Sequence, residues 1–546
     1  MPSEDQVNPH SMTELEEPLL LQEDVSPNPT TEPARRLYDG LECWETSVLI
    51  KALYFLDALG ASAWGRFSAI YYNLHGLNPQ HIGMIEGLRT ALPTLSQVLW
   101  GIVADKFQSR KKVWILTNTM STLILLTLAL PVVYTSFTKI LVVSIGSSLF
   151  VSSGILDAFT LDVLGSANKM YYGRYRLYAS LSWGFGSIVM GWITDHYHNF
   201  EPNFILFGIL ALVMVALVAW KIPNVTTTTA TTVDVTPPTP STRTTTTTAT
   251  ATTTESIDEN NDNHTPSDSH APLLESQSDP PPPPRQDQGE EEDPHRHHHL
   301  MELVCLAARP QVALFLSEVI IMGAAMATVE RLLFLYLVND LQASTLLCGL
   351  SVGVNVLFEL PIFWHAETVM KTLGGHDGMY LVAMLCFFVR VVGYTWLTPA
   401  TRCYILLLEV LHGITFACFW IASMDISKGL VHQTKGAFWR TAIPSSVQML
   451  YAAVGVSLGS ILGGWAMHKY GSRTMYKCTA GIVAVTFCIH LVGSIVSRVF
   501  WNGASFLPDY SNHEHESSDN DDDGEEEGQG LVDHREEGDY HDEATR

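Results

Sequence analysis

The polarity of this chain is segregated along its length. Long apolar blocks alternate with three strongly polar segments, residues 1–47, 224–300 and 503–546. Within the blocks, apolar runs recur at close to the ~20 residues a helix needs to cross the hydrocarbon core of a bilayer. Twelve are legible, at 48–72, 82–104, 113–134, 140–164, 177–196 and 203–222, then 311–337, 345–368, 378–397, 402–424, 440–466 and 475–500. The pattern predicts an all-α membrane protein with 12 transmembrane helices in two six-helix bundles, residues 48–223 and 301–502. A disordered loop (224–300) joins them, between a disordered N-terminal tail (1–47) and an acidic, disordered C-terminal tail (503–546).

Basic residues favour the cytoplasmic side of short loops. Lys106, Arg110, Lys111 and Lys112 follow the second run, Lys169 and Arg174 the fourth, Lys371 the eighth, and Lys428 and Lys435 the tenth. The loops "YNLHGLNPQH" and "HYHNFEPN" carry no lysine or arginine. Both termini and the long loop are therefore expected in the cytoplasm. The basic loop "HKYGSRTMYK" after the eleventh run votes the other way.

Composition adds little to this picture and removes several function classes. The 546 residues are 47% hydrophobic, and the net charge of −25 collects in the tails, above all in "DNDDDGEEEGQG" at 519–530. Such runs are solvated, so no nucleic-acid partner is expected. Eight scattered cysteines give neither a disulfide framework nor a cysteine zinc site. The acidic, proline-bearing start carries no pattern of a cleavable signal peptide. The central loop is Thr- and Pro-rich and ends in "HRHHH" (295–299). A histidine cluster can load metal, but no apolar run carries paired metal-ligand spacing, so no metal and no cofactor is expected. With no placeable Ser-His-Asp grouping, P-loop or zinc motif, the chain reads as no enzyme.

A short pattern repeats. "GIVAD" (101–105), "GWITD" (191–195) and "GWAMH" (464–468) close the second, fifth and eleventh runs, and the eighth lacks it. Three-helix units repeated with inversion are a transporter architecture, with the substrate site near the membrane midplane.

Charges inside the runs point the same way. Lys51, Lys139, Arg402 and Arg498 sit near run ends, where long side chains snorkel. The remainder are Asp57, Glu86, Arg89, Asp157, Asp162, Arg176, Glu318, Glu330, Arg331, Glu359, Arg390, Glu409 and His412. Each costs roughly 2.5–3.5 kcal/mol at a helix centre, so an inward-facing partner or water is expected. Glu409 and His412 share a helix face, as a proton-holding pair or as a structural hydrogen bond.

These residues resemble the major facilitator superfamily. "GIVADKFQSRKK" is similar to the family's loop after the second helix, with Gly101, Asp105, Lys106, Arg110 and Lys111 in type and Gln108-Ser109 where glycine is usual. The resemblance implies that these residues gate. "DAFTLD…GRYRLYASLSW" resembles lactose permease and the associated-domain facilitators grouped with it. It implies that Asp157 pairs with Arg176, and that Trp183 stacks against a sugar. "RVVG" from Arg390 and "EVLHGITF" around His412 continue the likeness. Glu409 stands in place of the expected lysine and Thr415 in place of the proton-carrying carboxylate, so Glu330 or Glu409 would substitute.

Together these readings predict a secondary transporter that moves a small polar solute, such as a sugar or glycoside, by alternating access with protons. It is expected to act as a monomer in a lipid bilayer. The alternatives are a transporter-shaped receptor or scaffold working through its tails, and a facilitative uniporter. "ELEEPLLL" holds an acidic dileucine spacing (Glu16, Leu20, Leu21), consistent with endosomal or vacuolar membranes as well as the plasma membrane. "NVT" at Asn224 is a glycosylation acceptor that would report an inverted topology if used.

Overall fold

The computed structural model describes residues 43–107, 109–151, 153–168, 172–222, 304–432, 439–500 and 506–507. The acidic dileucine, Asn224, the histidine cluster and nearly all of both tails and the central loop lie outside them. Within the stretch expected to be disordered, Phe506 and Leu507 are placed, their backbone N–H groups donating to Asp377 at 2.8 and 3.0 Å.

Among the described residues the fold is helical throughout. The first set comprises α1 (Cys43–Trp64), α2 (Ser68–Leu74), α3 (Pro79–Lys106), α4 (Arg110–Leu126), α5 (Phe137–Ser148), α6 (Ser153–Asn168), α7 (Tyr172–Tyr197) and α8 (Glu201–Lys221). The second comprises α9 (Pro310–Glu330), α10 (Leu333–Asn339), α11 (Thr345–Trp364), α12 (Ala366–Leu373), α13 (His376–Trp396), α14 (Ile405–His432), α15 (Trp439–Met449), α16 (Ser457–Tyr470) and α17 (Ser472–Phe500). Between α15 and α16 the helix widens into a π turn at Leu450–Val456. Helices occupy all of the expected runs. Nine spans among the described residues are long and apolar enough to cross a bilayer on those criteria alone. The other runs fall to α3, α7 and the split pair α5–α6, of which α5 is apolar but only 12 residues long.

Local chemistry sets the starts. Asn78 accepts from the His81 N–H at 2.9 Å ahead of Pro79 at the first helical position, and Ser344 accepts from the Leu347 N–H at 3.2 Å. Both are N-caps that satisfy donors a helix leaves free.

The two sets pack as one compact unit. Their close approaches use glycine and cluster at one face, where α3 and α11 begin and α7 and α16 end. A Cβ at Gly464 would lie 2.5 Å from the Pro79 carbonyl oxygen and 2.8 Å from the Cα of Gly83. Gly191 is closed by the Thr345 carbonyl oxygen and Gly349 by that of Ser187. Backbones meet this closely only where side chains are absent. At the opposite end of α3, Gly101 faces open space and Asp105, Lys106 and Phe107 are exposed.

Candidate functional site

The first helix of each set breaks at a matching place. α1 stops at Trp64 and resumes as α2 at Ser68; α9 stops at Glu330 and resumes as α10 at Leu333. Each break carries an arginine, Arg66 or Arg331. Gly65 lies in the first break, where the Trp183 ring occupies the space a Cβ would need, and Ser68 Oγ lies 2.8 Å from the Gly65 carbonyl oxygen.

Glu86 of α3 ties the breaks together. It is 1% exposed, and its carboxylate accepts from Ser68 Oγ at 2.7 Å and Arg89 Nη1 at 3.0 Å. Its second oxygen lies 3.7 Å from Arg331 Nη1, an ion pair between the two sets. Just beyond, Phe67 meets Phe334 edge-on at 5.1 Å and Asn73 Nδ2 donates to Asn339 at 3.0 Å. Trp64 Nε1, Arg66 Nη1 and Arg331 Nε are buried with no hydrogen-bond partner among the described residues.

A second group lies in α13 and α14. Arg390 is fully buried, its guanidinium 5.3 Å from the Phe387 ring and 5.8 Å from the Tyr394 ring. Tyr394 donates its hydroxyl to Glu409, also fully buried. All three Arg390 nitrogens, Glu409 Oε2, His412 Nδ1 and both amide atoms of Asn355 find no hydrogen-bond partner among the described residues. His412 Nε2 lies 3.9 Å from Glu330 Oε1 at the end of α9. His412 is within electrostatic reach of Arg390 and Arg66, and Glu359 of Glu330 and Arg66. The two groups therefore form one electrostatic field spanning both sets. Glu409 and His412 share a face of α14 as their spacing predicts, yet each takes its partner from another helix.

The expected Asp157–Arg176 pair is not formed. Asp157 accepts from Tyr54 Oη at 2.6 Å, and Arg176 is exposed, with no ion pair between them among the described residues. A tyrosine of α1 reaches the carboxylate first, which spacing along α6 and α7 could not show. Trp183 is half-buried against Gly65. Asp57 is exposed; Asp162 lies in α6, its side chain outside the described residues. In the gating motif, Asp105 lies 3.6 Å from Arg110, and Lys111 Nζ donates to the carbonyls of Ala219 and Ile222 at the end of α8. These contacts stay within the first set.

Arg66 escaped the sequence reading although "WGRF" places it inside an apolar run. So did His490, whose Nδ1 lies 2.8 Å from Glu318 Oε1 and Nε2 3.8 Å from Asp377 Oδ1. Tyr380 stacks on the His490 ring at 5.9 Å. This buried cluster joins α9, α13 and α17.

Residues 48–478 match the model of the MFS_1 like family. Major facilitator superfamily domain-containing protein 6-like from Homo sapiens is 24% identical over 194 residues, 35% of this chain and 31% of that protein. Its relative protein B from Xenopus laevis is 23% identical over 168 residues, 31% of this chain and 26% of that protein. The aligned stretch thus spans under a third of these curated relatives. Among solved structures, nucleoside transporter NupG superposes with a TM-score of 0.59 at 15% identity, covering 82% of this chain and 98% of that one. A POT family transporter in complex with 5-aminolevulinic acid gives 0.54 at 12% identity, covering 82% and 96%. These structures share the fold. On the family match and the helical architecture, the chain belongs to the MFS_1 like family of the major facilitator superfamily and is an integral, multi-pass membrane protein.

Proposed function

We propose that this protein is a secondary transporter carrying a small polar solute across the membrane by alternating access, coupled to protons. The observation that carries the reading is a group of buried, incompletely partnered polar atoms that begins at the two helix breaks, on Arg66 and Arg331, and continues into the second set on Asn355, His412, Glu409 and Arg390. A buried donor or acceptor left unsatisfied costs about 1–3 kcal/mol, more when charged. A solute offering both donors and acceptors offsets that cost when it binds. Such groups at matching helix breaks are where a carrier of this architecture holds its substrate.

The closed and open faces support the same reading. The positive-inside expectation puts the open face, with Lys106 and Arg110, in the cytoplasm, so this conformation is inward-open. Trp183 over the helix break offers an apolar face to a ring-bearing solute, with Arg176 about two turns before it on α7 as a further polar group. Glu330 with His412, and Glu409 with Tyr394 and Arg390, supply the titratable pairs for proton coupling. One structural neighbour is named a nucleoside transporter and another holds 5-aminolevulinic acid, both small polar solutes of the kind proposed here.

The test is the melting temperature of the purified full chain in detergent against sugars, glycosides, nucleosides and small organic ions, beside Arg66→Ala. A ligand at about 100 times its Kd adds about 2.7 kcal/mol to the native state. A shift with one class, lost in R66A, supports the site. A shift that persists in R66A moves the site elsewhere. No shift with any class, and no uptake of any class into proteoliposomes, overturns the reading.

A further inference from the structure

The repeated Gly-x-x-x-Asp/His pattern is in two different states. Gly191 and Gly464 are each pressed against backbone of the other set on the closed face. Gly101 faces open space, and Asp105 beside it is exposed. The acid that ends α7 shows what the pattern does when engaged. Asp195 Oδ1 accepts from the backbone N–H of Thr345 at 2.8 Å, and Oδ2 from that of Leu346 at 2.9 Å. The Thr345 hydroxyl donates to Oδ1 and lies 3.0 Å from the Gly191 carbonyl oxygen.

Thr345 and Leu346 are the first two residues of α11, and the N-cap Ser344 already serves the third. The helix therefore draws one capping group from its own chain segment and a second, charged one from the opposite set. A carboxylate at a helix N-terminus meets both free donors and the positive end of the helix dipole. Hydrogen bonds to a charged acceptor are about twice as strong as neutral ones.

We propose that Asp195 is the latch that holds this face shut, releasing the two N–H groups of α11 to water when the face opens. Asp195 is a positioning residue: it acts on the equilibrium between the faces and not on the solute. Its meaning for transport rests on the alternating-access reading above, but the latch is testable without any solute.

The reporter is already in the chain. Cys348 is one turn into α11 behind the latch and fully buried, whereas Cys403 is exposed. The full chain in proteoliposomes is treated with a membrane-impermeant maleimide, and modification of each cysteine is followed by peptide mass spectrometry. Asp195→Asn keeps the shape, removes the charge and turns one acceptor into a donor. It should raise the labelling rate of Cys348 about tenfold, the ratio set by about 1.4 kcal/mol, with Cys403 unchanged. Asp105→Asn, on the open face, should leave Cys348 slow.

Thr345→Pro gives an independent variant should D195N fail to fold. It deletes one latch donor and the hydroxyl, while proline suits the first helical position. Ser344, at φ −71° and ψ 155°, already has the extended backbone a following proline requires. T345P should raise Cys348 labelling as well. Unchanged Cys348 labelling in either folded variant overturns the latch. Transport with unchanged labelling would leave the carrier reading standing without the latch. Raised labelling in a protein that moves no solute would leave the latch standing without the carrier.

Discussion

The carboxylate of Glu86 in α3 lies 3.7 Å from the guanidinium of Arg331 at the end of α9, joining the two sets of helices at the level where both of their first helices break. Glu86 is 1% exposed and also neutralises Arg89. One acid thus balances two cations from two halves of the molecule, and the balance holds only while the halves are together here.

Removing that acid should therefore be costly. In Glu86→Gln, two partly buried arginines lose their counter-charge, and breaking a buried pair from one side costs about 3–5 kcal/mol. The expected outcome is a lower melting temperature in detergent together with loss of uptake. A variant that melts like the parent would show that water, not Glu86, compensates the arginines.

Proton coupling makes a separate prediction. Glu409 holds the Tyr394 hydroxyl beside Arg390 in a region closed to water. Glu409→Gln keeps the shape and cannot carry a proton. It should abolish solute accumulation driven by a pH gradient while leaving exchange of labelled for unlabelled solute within about threefold, since 0.6 kcal/mol is a small perturbation of binding. Gradient-driven accumulation in E409Q would remove Glu409 from the proton path.

The glycine contacts predict an asymmetry between the two faces. Gly191→Val places methyl groups against the Thr345 carbonyl, where a Cβ already has no room, and overpacking costs about 1–3 kcal/mol. Gly101→Ala meets nothing within 4 Å, and a helical Ala in place of Gly adds stability of at most about 1 kcal/mol. G191V should melt lower and label faster at Cys348, and G101A should do neither. Equal behaviour of the two variants would mean that the closed face is not held by backbone contact.

The buried histidine cluster predicts a purely structural effect. His490→Ala leaves Glu318 and Asp377 facing each other in the interior of the second set, with about 3 kcal/mol lost. Because Asp377 also holds the N–H groups of Phe506 and Leu507, Asp377→Asn should make the chain beyond α17 easier to cut with protease without lowering uptake. A protease pattern like that of the parent would show that apolar packing of Phe506 alone holds this segment.

Much of the fold was legible because a bilayer constrains a chain so strongly. Every backbone polar group in hydrocarbon must be satisfied within its own helix, so run length alone locates spans. The repeated "GIVAD", "GWITD" and "GWAMH" were readable as a pattern, and the structure shows them in contact or out of it. The candidate residues Glu86, Glu330, Arg390, Glu409 and His412 were readable as charges too expensive to face lipid. Their partners were not. Spacing along a helix tells which residues share a face, but an ion pair such as Glu86–Arg331 depends on two helices more than two hundred positions apart in the chain.

The sequence by itself determined the class of the protein: helices at the expected runs, polar segments outside them, and charges committed to the interior, because transfer into hydrocarbon is a cost each residue carries locally. Tertiary structure alone decided who answers whom. Tyr54 and not Arg176 takes Asp157, Arg66 enters the site from a helix break, and Asp195 caps a helix of the other set. The reason is that a helix fixes the direction of a side chain, while the distance to its partner is set by how two separately formed bundles close on each other.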